Sequence, residues 1–342
     1  MKKLLTILLT LGLAINLSAQ YQMVIQRNNT TLPFMSIDSA FAYLQNNDTL
    51  YLPAGSFSSP SYKLTTSKKI HLIGAGYHKG SNDSVPVTSI QSTFYLLDGA
   101  DGSTFEGIRF TQAFNFGEDV ATADVDNISF KRCKFDQTVT LGFNADVQNV
   151  QFSECVFISW VEAKNSTYLT FRNCFFNAQV RYTNGNTLFE NCIMEGQFNY
   201  NNNFTIRNSI LESGGTIGGT NTTYTLQNCA FHETDPDAYF ANSPNQVTGC
   251  IGLITWVDTF EDCPVDVYSN GYNPLHDYRI KAGSPCKNGG VGGTEIGLYG
   301  GSNPFKHNCL PANPHIDSSD VSVETDENGM LNITIKVSAQ EN

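Results

Sequence analysis

FRNCFF (Phe171 to Phe176), FENCIM (Phe189 to Met194), IRNSIL (Ile206 to Leu211) and LQNCAF (Leu226 to Phe231) are four spellings of one phrase. Looser copies are FEGIRF from Phe105, FKRCKF from Phe130, FSECVF from Phe152 and VTGCIG from Val247. Each runs apolar, polar, usually Asn, usually Cys, any residue, apolar. At the Cys position stand Ile108, Cys133, Cys155, Cys174, Cys192, Ser209, Cys229 and Cys250, at intervals of 25, 22, 19, 18, 17, 20 and 21 residues. Self-similarity at this period marks a solenoid. A leucine-rich repeat would return through a helical segment with its own apolar spacing. Here the returns are short and polar, such as NYNNN at 199–203 and YTNGN at 182–186, which suit turns and strands. The repeat therefore predicts a parallel β-helix.

Each column of that repeat acquires a physical role. Phe105, Phe130, Phe152, Phe171, Phe189, Ile206, Leu226 and Val247 stack inside, one per coil, about 4.8 Å apart. Asn173, Asn191, Asn208 and Asn228 take the sharp corner before the Cys position, because Asn tolerates left-handed backbone angles. Stacked in register, their amides are expected to bond to one another along the ladder. All of this is scaffold. It carries no activity.

At this point the chain resembles the right-handed parallel β-helix superfamily that includes pectate lyases, polygalacturonases and many exported bacterial proteins. The resemblance spans roughly residues 36–310. It rests on the corner phrase, on DTLYLPAGSF and KKIHLIGAGY at the front, and on DYRIKAGSPCKNGG and TEIGLYGG at the back. The expected fold class is all-β: a right-handed parallel β-helix with an N-terminal capping helix and a C-terminal β-hairpin tail.

The expected organisation has four parts. Residues 1–19 read as a signal peptide: Lys2 and Lys3, an apolar run from Leu4 through Ile15, and a small-residue exit at LSAQ. The run is shorter than the ~20 apolar residues of a membrane span, so export without membrane insertion is expected, to the periplasm, the cell surface or the medium. Residues 20–50 hold a first strand and a helix opened by Ser36, with Ile37, Ala40, Phe41 and Leu44 on one face; it covers the first coil, whose bare edge would otherwise invite pairing. Residues 51–308 form the β-helix, with TEIGLYGG among the last coils. Residues 309–342 are a Pro-punctuated linker and a hairpin about Asn328-Gly329, expected to pack on the last coil. GAGYHKG lacks the following helix of a dinucleotide site and reads as a turn.

The whole chain carries 20 basic and 32 acidic residues. Such a balance argues against nucleic acid, which rewards clustered Lys and Arg, and against anionic polysaccharide in the absence of a local basic patch. Six of the nine Cys share one inward column, with Cβ vectors in parallel and farther apart than the ~3.8 Å of a disulfide. Free buried thiols are expected there, and Cys263, Cys286 and Cys309 are left to supply one bridge. The six His include no i, i+4 pair and no HExxH, so zinc is not expected. Asp98 and Asp101, or Asp258, Glu261, Asp262 and Asp266, are the carboxylates a calcium ion would draw on. Acidic turn residues are ordinarily solvated, and neither metal nor cofactor is expected.

The enzymes it resembles work on the sheet that follows the turn after the Cys strand. Here that strand reads SWVEA (159–163), QVRY (179–182), QFNY (197–200) and TIGG (216–219). Alternation puts Val161, Val180, Phe198 and Ile217 inward. It leaves Trp160, Glu162, Gln179, Arg181, Gln197, Asn199 and Thr216 outward, a row with an aromatic for sugar stacking, amides for hydroxyls, and a Glu162–Arg181 pair. Of the polygalacturonase pattern (convergent Asp, Gly-His-Gly, Arg-Ile-Lys) only Arg279-Ile280-Lys281 is present. The pectate lyase pattern implies a calcium-binding Asp cluster and a proton-abstracting Arg; Arg181 matches the latter, but its flanking coils offer Glu162 and Asn199. The function expected is an exported β-helix of structural or binding type that recognises a glycan or envelope component along this face. A polysaccharide lyase or hydrolase with a non-standard site, using Arg181 and Glu162, is the alternative.

Overall fold

The computed structural model describes residues 22–78, 87–118, 124–142, 146–183, 185–217, 223–263, 271–306, 315–321, 330 and 333–338. The signal peptide, Cys309, Asp266 and the hairpin turn lie outside them. The chain winds as a parallel β-helix with three long sheets of twelve, ten and seven strands, plus a short three-stranded sheet at one corner. The repeat phrase straddles one corner, so each copy supplies the end of a first-sheet strand and the start of a second-sheet strand. Phe105, Phe130, Phe152, Phe171 and Phe189 pair in register along the first sheet. Their rings stack at 4.7–4.9 Å between centroids. That distance is the spacing between paired strands, so the ladder itself sets the ring stack. Phe157 and Phe176, from the second sheet, meet this column edge-on, which suits the ring quadrupole.

The corner residues are all left-handed: Gly107, Arg132, Glu154, Asn173, Asn191, Asn208, Asn228 and Gly249 have φ between 50° and 67°. The next column holds free thiols at Cys133, Cys155, Cys174, Cys192, Cys229 and Cys250, all buried except half-buried Cys250. Each completes its geometry with backbone oxygens, as Cys174 Sγ does with Arg172 O at 3.2 Å. Burial pushes the Cys133, Cys155, Cys174 and Cys229 thiols well above their ordinary range, so they behave as small apolar groups. Cys263 and Cys286 form no disulfide with one another, so the expected bridge does not join these two.

Helix α1 (Ile37–Tyr43) closes the N-terminal end, burying Ile37 and Ala40. Phe41 packs edge-on against Phe94 of the bore, and an antiparallel pair, Met23–Arg27 with Thr30–Phe34, covers the first sheet's edge. The other end is filled by Phe240, which follows the one-turn helix α2 (Pro236–Tyr239) and meets Phe231 at 5.6 Å.

Beyond that end the chain departs from the expected path. After α3 (Trp256–Thr259) it forms an antiparallel pair, Phe260–Asp262 with Asp277–Ile280. It then runs back along the solenoid as a strap over the second sheet's outer face. TEIGLYGG belongs to this strap and forms no last coil, and DYRIKAGSPC is the antiparallel strand that leads into it. Val156, Phe175, Ile193 and Ile210 point outward on successive coils and are buried against Trp256, Phe260, Tyr278, Ile280 and Ile296. The corner amides do not bond to one another as expected; they hold the strap. Asn228 Nδ2 donates to Gly289 O at 2.8 Å, and Asn208 Oδ1 accepts from Val291 N at 2.8 Å. Asn191 Nδ2 donates to Glu295 O and Gly297 O at 3.0 and 3.2 Å, and Asn173 Nδ2 to Leu298 O and Gly300 O at 2.7 and 2.9 Å. Gly300 is needed for this approach, since a Cβ there would meet Asn191 Nδ2 at 2.2 Å. The hairpin forms from His315–Val321 and Ile333–Ser338.

Candidate functional site

The third sheet is assembled as the repeat implies. Val161, Val180 and Phe198 are in register and buried, and Ile217 bridges to Phe198. Glu162, Arg181 and Asn199 form one outward column, with Trp160, Gln179 and Gln197 two residues earlier on the same strands. Thr216 does not join them. It ends a 3₁₀ turn, Gly214–Thr216, and is buried, its Oγ1 accepting from Ser213 N at 3.1 Å.

Arg181 is held on three sides. Its guanidinium lies 3.7 Å from the centroid of Trp160, its Nε donates to Gln179 Oε1 at 2.8 Å, and Nη1 sits 3.9 Å from Glu162 Oε1. The Trp160 face turned to Arg181 is therefore occupied by a cation, worth ~0.5–1 kcal/mol at an exposed site. Glu162 is also 3.2 Å from Lys164 Nζ. Gln179 Nε2 and Asn199 Nδ2 both reach Gln197 Oε1, at 3.4 and 3.3 Å. Arg181 and Glu162 thus offset one another within the row, Lys164 adds one positive charge beside them, and amides make up the far side.

Two aromatic residues missed by alternation complete the face. Tyr182 and Tyr200 follow Arg181 and Asn199 directly, where strict alternation sends a side chain inward, as it does for buried Ala163 one coil earlier. Both have left-handed backbones, φ 62° and 58°. That conformation is a true outlier for a bulky residue, and it throws the two rings outward. They stack at 5.4 Å between centroids, with an interplanar angle of 13°. Lys164 Nζ lies 5.9 Å from the Tyr182 ring, and Tyr200 is 73% exposed at the end of the stack. The signal was present in the aligned RY and NY of QVRY and QFNY, 18 residues apart like their neighbours. Beyond Lys164 a pocket of ≈ 300 Å³ opens between turns, lined by Asp146, Gln148, Asn165 and Thr167 among others.

Within the described strands of this sheet Glu162 is the one carboxylate. Two-carboxylate glycoside hydrolysis needs a second across the scissile bond. Among the described residues no three His, Cys, Asp or Glu side chains are grouped to hold a metal ion. Arg279, the start of Arg-Ile-Lys, is bound bidentately by Asp277, in the segment over the second sheet and apart from this face. No protein-family model, no curated protein and no solved structure matches this chain.

Proposed function

We propose that this is an exported β-helix of binding type, whose third sheet recognises a glycan along its outer face. The Tyr182–Tyr200 stack carries the reading. Two bulky residues hold left-handed angles at some cost in strain, and such strain collects where a protein binds. Tyr200 offers a ring face for a sugar ring. Gln179, Gln197 and Asn199 offer paired donors and acceptors at the spacing of successive coils. Within the row Glu162 offsets the charge of Arg181, and the amides beside Tyr200 carry none, so the ligand that fits is a neutral saccharide. Its hydroxyls meet the amide row, and Trp160 serves to position Arg181. Kinship with the pectate lyase-like superfamily is supported by the coil architecture. A lyase role for Arg181 has less support, since its guanidinium is already engaged by Trp160, Gln179 and Glu162.

Isothermal titration against a panel of soluble neutral and anionic polysaccharides tests this. Binding of a neutral member should be weakened at least about tenfold by Tyr200→Ala and by Gln197→Ala, with melting unchanged. Absence of binding across the panel overturns the glycan reading. Release of unsaturated product from an anionic member, lost in Arg181→Ala, would replace it with lyase activity.

A further inference from the structure

The coil that ends the solenoid, Gln246–Ile254, carries two strand edges at once. Gln246–Thr248 is the last strand of the first sheet and Ile251–Ile254 the last of the second, and no strand among the described residues pairs with either outer edge. Unpaired N–H and C=O rows on such strands are templates for strand addition. The rim is apolar as well: Leu253 is 65% and Tyr239 56% exposed, and Val247 and Cys250 are only partly covered. At the opposite end α1 and the antiparallel N-terminal pair lie over the first coil, and the outermost described strand of the first sheet, Thr30–Phe34, runs antiparallel to its neighbour.

We propose that this last coil is the contact surface of a two-fold dimer of this chain, joined end to end. The partner is singled out by the outline of the coil. The two edge strands meet at the left-handed corner Gly249-Cys250, one running toward it and the other away. A two-fold axis along the bisector of that corner lays the first-sheet strand of one copy under the second-sheet strand of the other, and reciprocally. The paired strands are then antiparallel, and bore continues into bore. Val247, which faces the core, falls opposite Gly252 of the second copy, and Thr248 opposite Ile251, so inward and outward positions match. The register shift that follows, between Ala230 and His232 on the neighbouring strand, ends the ladder there. Leu253, left-handed at φ 53°, then meets the other copy as a rim contact. Cys250 lies beside the axis. A two-fold contact uses the same coil of each copy reciprocally, so the association closes at two copies. Helix α2 faces its own copy across the axis, bringing exposed Asp235 and Asp237 toward the same residues. This repulsion is screened by salt, so the dimer tightens as ionic strength rises.

Sedimentation equilibrium of the full chain at high salt should give a concentration-dependent dimer. Thr248→Lys with Leu253→Asn places a charge on the open edge and removes the apolar rim. Asn is compatible with the left-handed site, and the pair should weaken association at least about tenfold with an unchanged circular dichroism spectrum and melting temperature. In a Cys309→Ser background, a short bis-maleimide should link two copies, and adding Cys250→Ser should abolish the link. A monomer at every concentration and salt overturns the proposal. So does a dimer that survives the double variant. A monomer that becomes a dimer when residues 315–342 are removed also overturns it, and assigns the edge to the chain's own hairpin.

Discussion

Two outer faces of the same solenoid meet opposite fates. On the second sheet the outward positions are Val156, Phe175, Ile193 and Ile210, and the C-terminal strap covers them. On the third they are Trp160, Glu162, Gln179, Arg181, Gln197 and Asn199, and no strap crosses them among the described residues. The winding is common to both, since inward columns and strand register continue through every coil. The difference lies in every second side chain of a few two-residue strands. An apolar outer column calls for a cover, at roughly 25 cal/mol per Å² of apolar area removed from water, whereas a polar column finds its partners sideways, along the sheet.

Substitutions at matched positions on the two faces put numbers on that contrast. Phe175→Ala, beneath the strap, should lower unfolding free energy by ~3–5 kcal/mol, read by denaturant titration. A loss no larger than that of a surface change would mean that the strap packs loosely. Asn191→Ala should cost ~1–3 kcal/mol, because it removes the donor to Glu295 O and Gly297 O and leaves a Cβ-bearing residue other than Asn at φ 55°. Asn191→Gly relieves the backbone but not the lost bonds, so a residual deficit in Gly measures the bonds alone.

A third change acts through protons. Glu195 is buried under the C-terminal segment, and its carboxyl is pushed up to about 9 by burial first and by Glu212 second. The unfolded chain releases this proton near the ordinary carboxylate value, ~4.3. Between those two values the unfolded state binds fewer protons than the native one, so stability falls as pH rises through the window. Glu195→Gln keeps the shape and has no proton to lose. It should flatten the decline between about pH 5.5 and about pH 8.5; an identical slope in wild type and variant would refute the assignment. The smallest effect belongs to the open face. Asn199→Ala should shift stability by no more than about 0.5 kcal/mol, so any large loss of ligand binding there reports on binding alone.

The winding was legible because eight copies of a phrase repeat one geometric demand. Buried rings, left-handed corners and inward thiols each recur at the coil period. The strap was not legible. It meets the corner amides through the backbone oxygens of Gly289, Glu295, Gly297, Leu298 and Gly300 and the backbone N–H of Val291, and a main-chain group leaves no mark on residue type. The corner amides announced themselves, but not whom they would address. On the open face, alternation placed Trp160, Glu162, Gln179, Arg181, Gln197 and Asn199 correctly. It failed at Tyr182 and Tyr200, where a left-handed residue breaks the two-residue period, and at Thr216, where a 3₁₀ turn replaces the strand. Alternation also gave no sign that Arg181 lies over one face of the Trp160 ring.

The strap also works as a ruler. Its backbone groups are spaced to meet one asparagine on each of four consecutive turns, in an order opposite to that of the turns themselves. Inserting or deleting a single turn between Asn173 and Asn228 would leave every ring stack intact and still put these contacts out of step. A repeat of this kind can ordinarily lengthen or shorten by duplication. Here the number of turns is counted by a segment that lies outside the repeat.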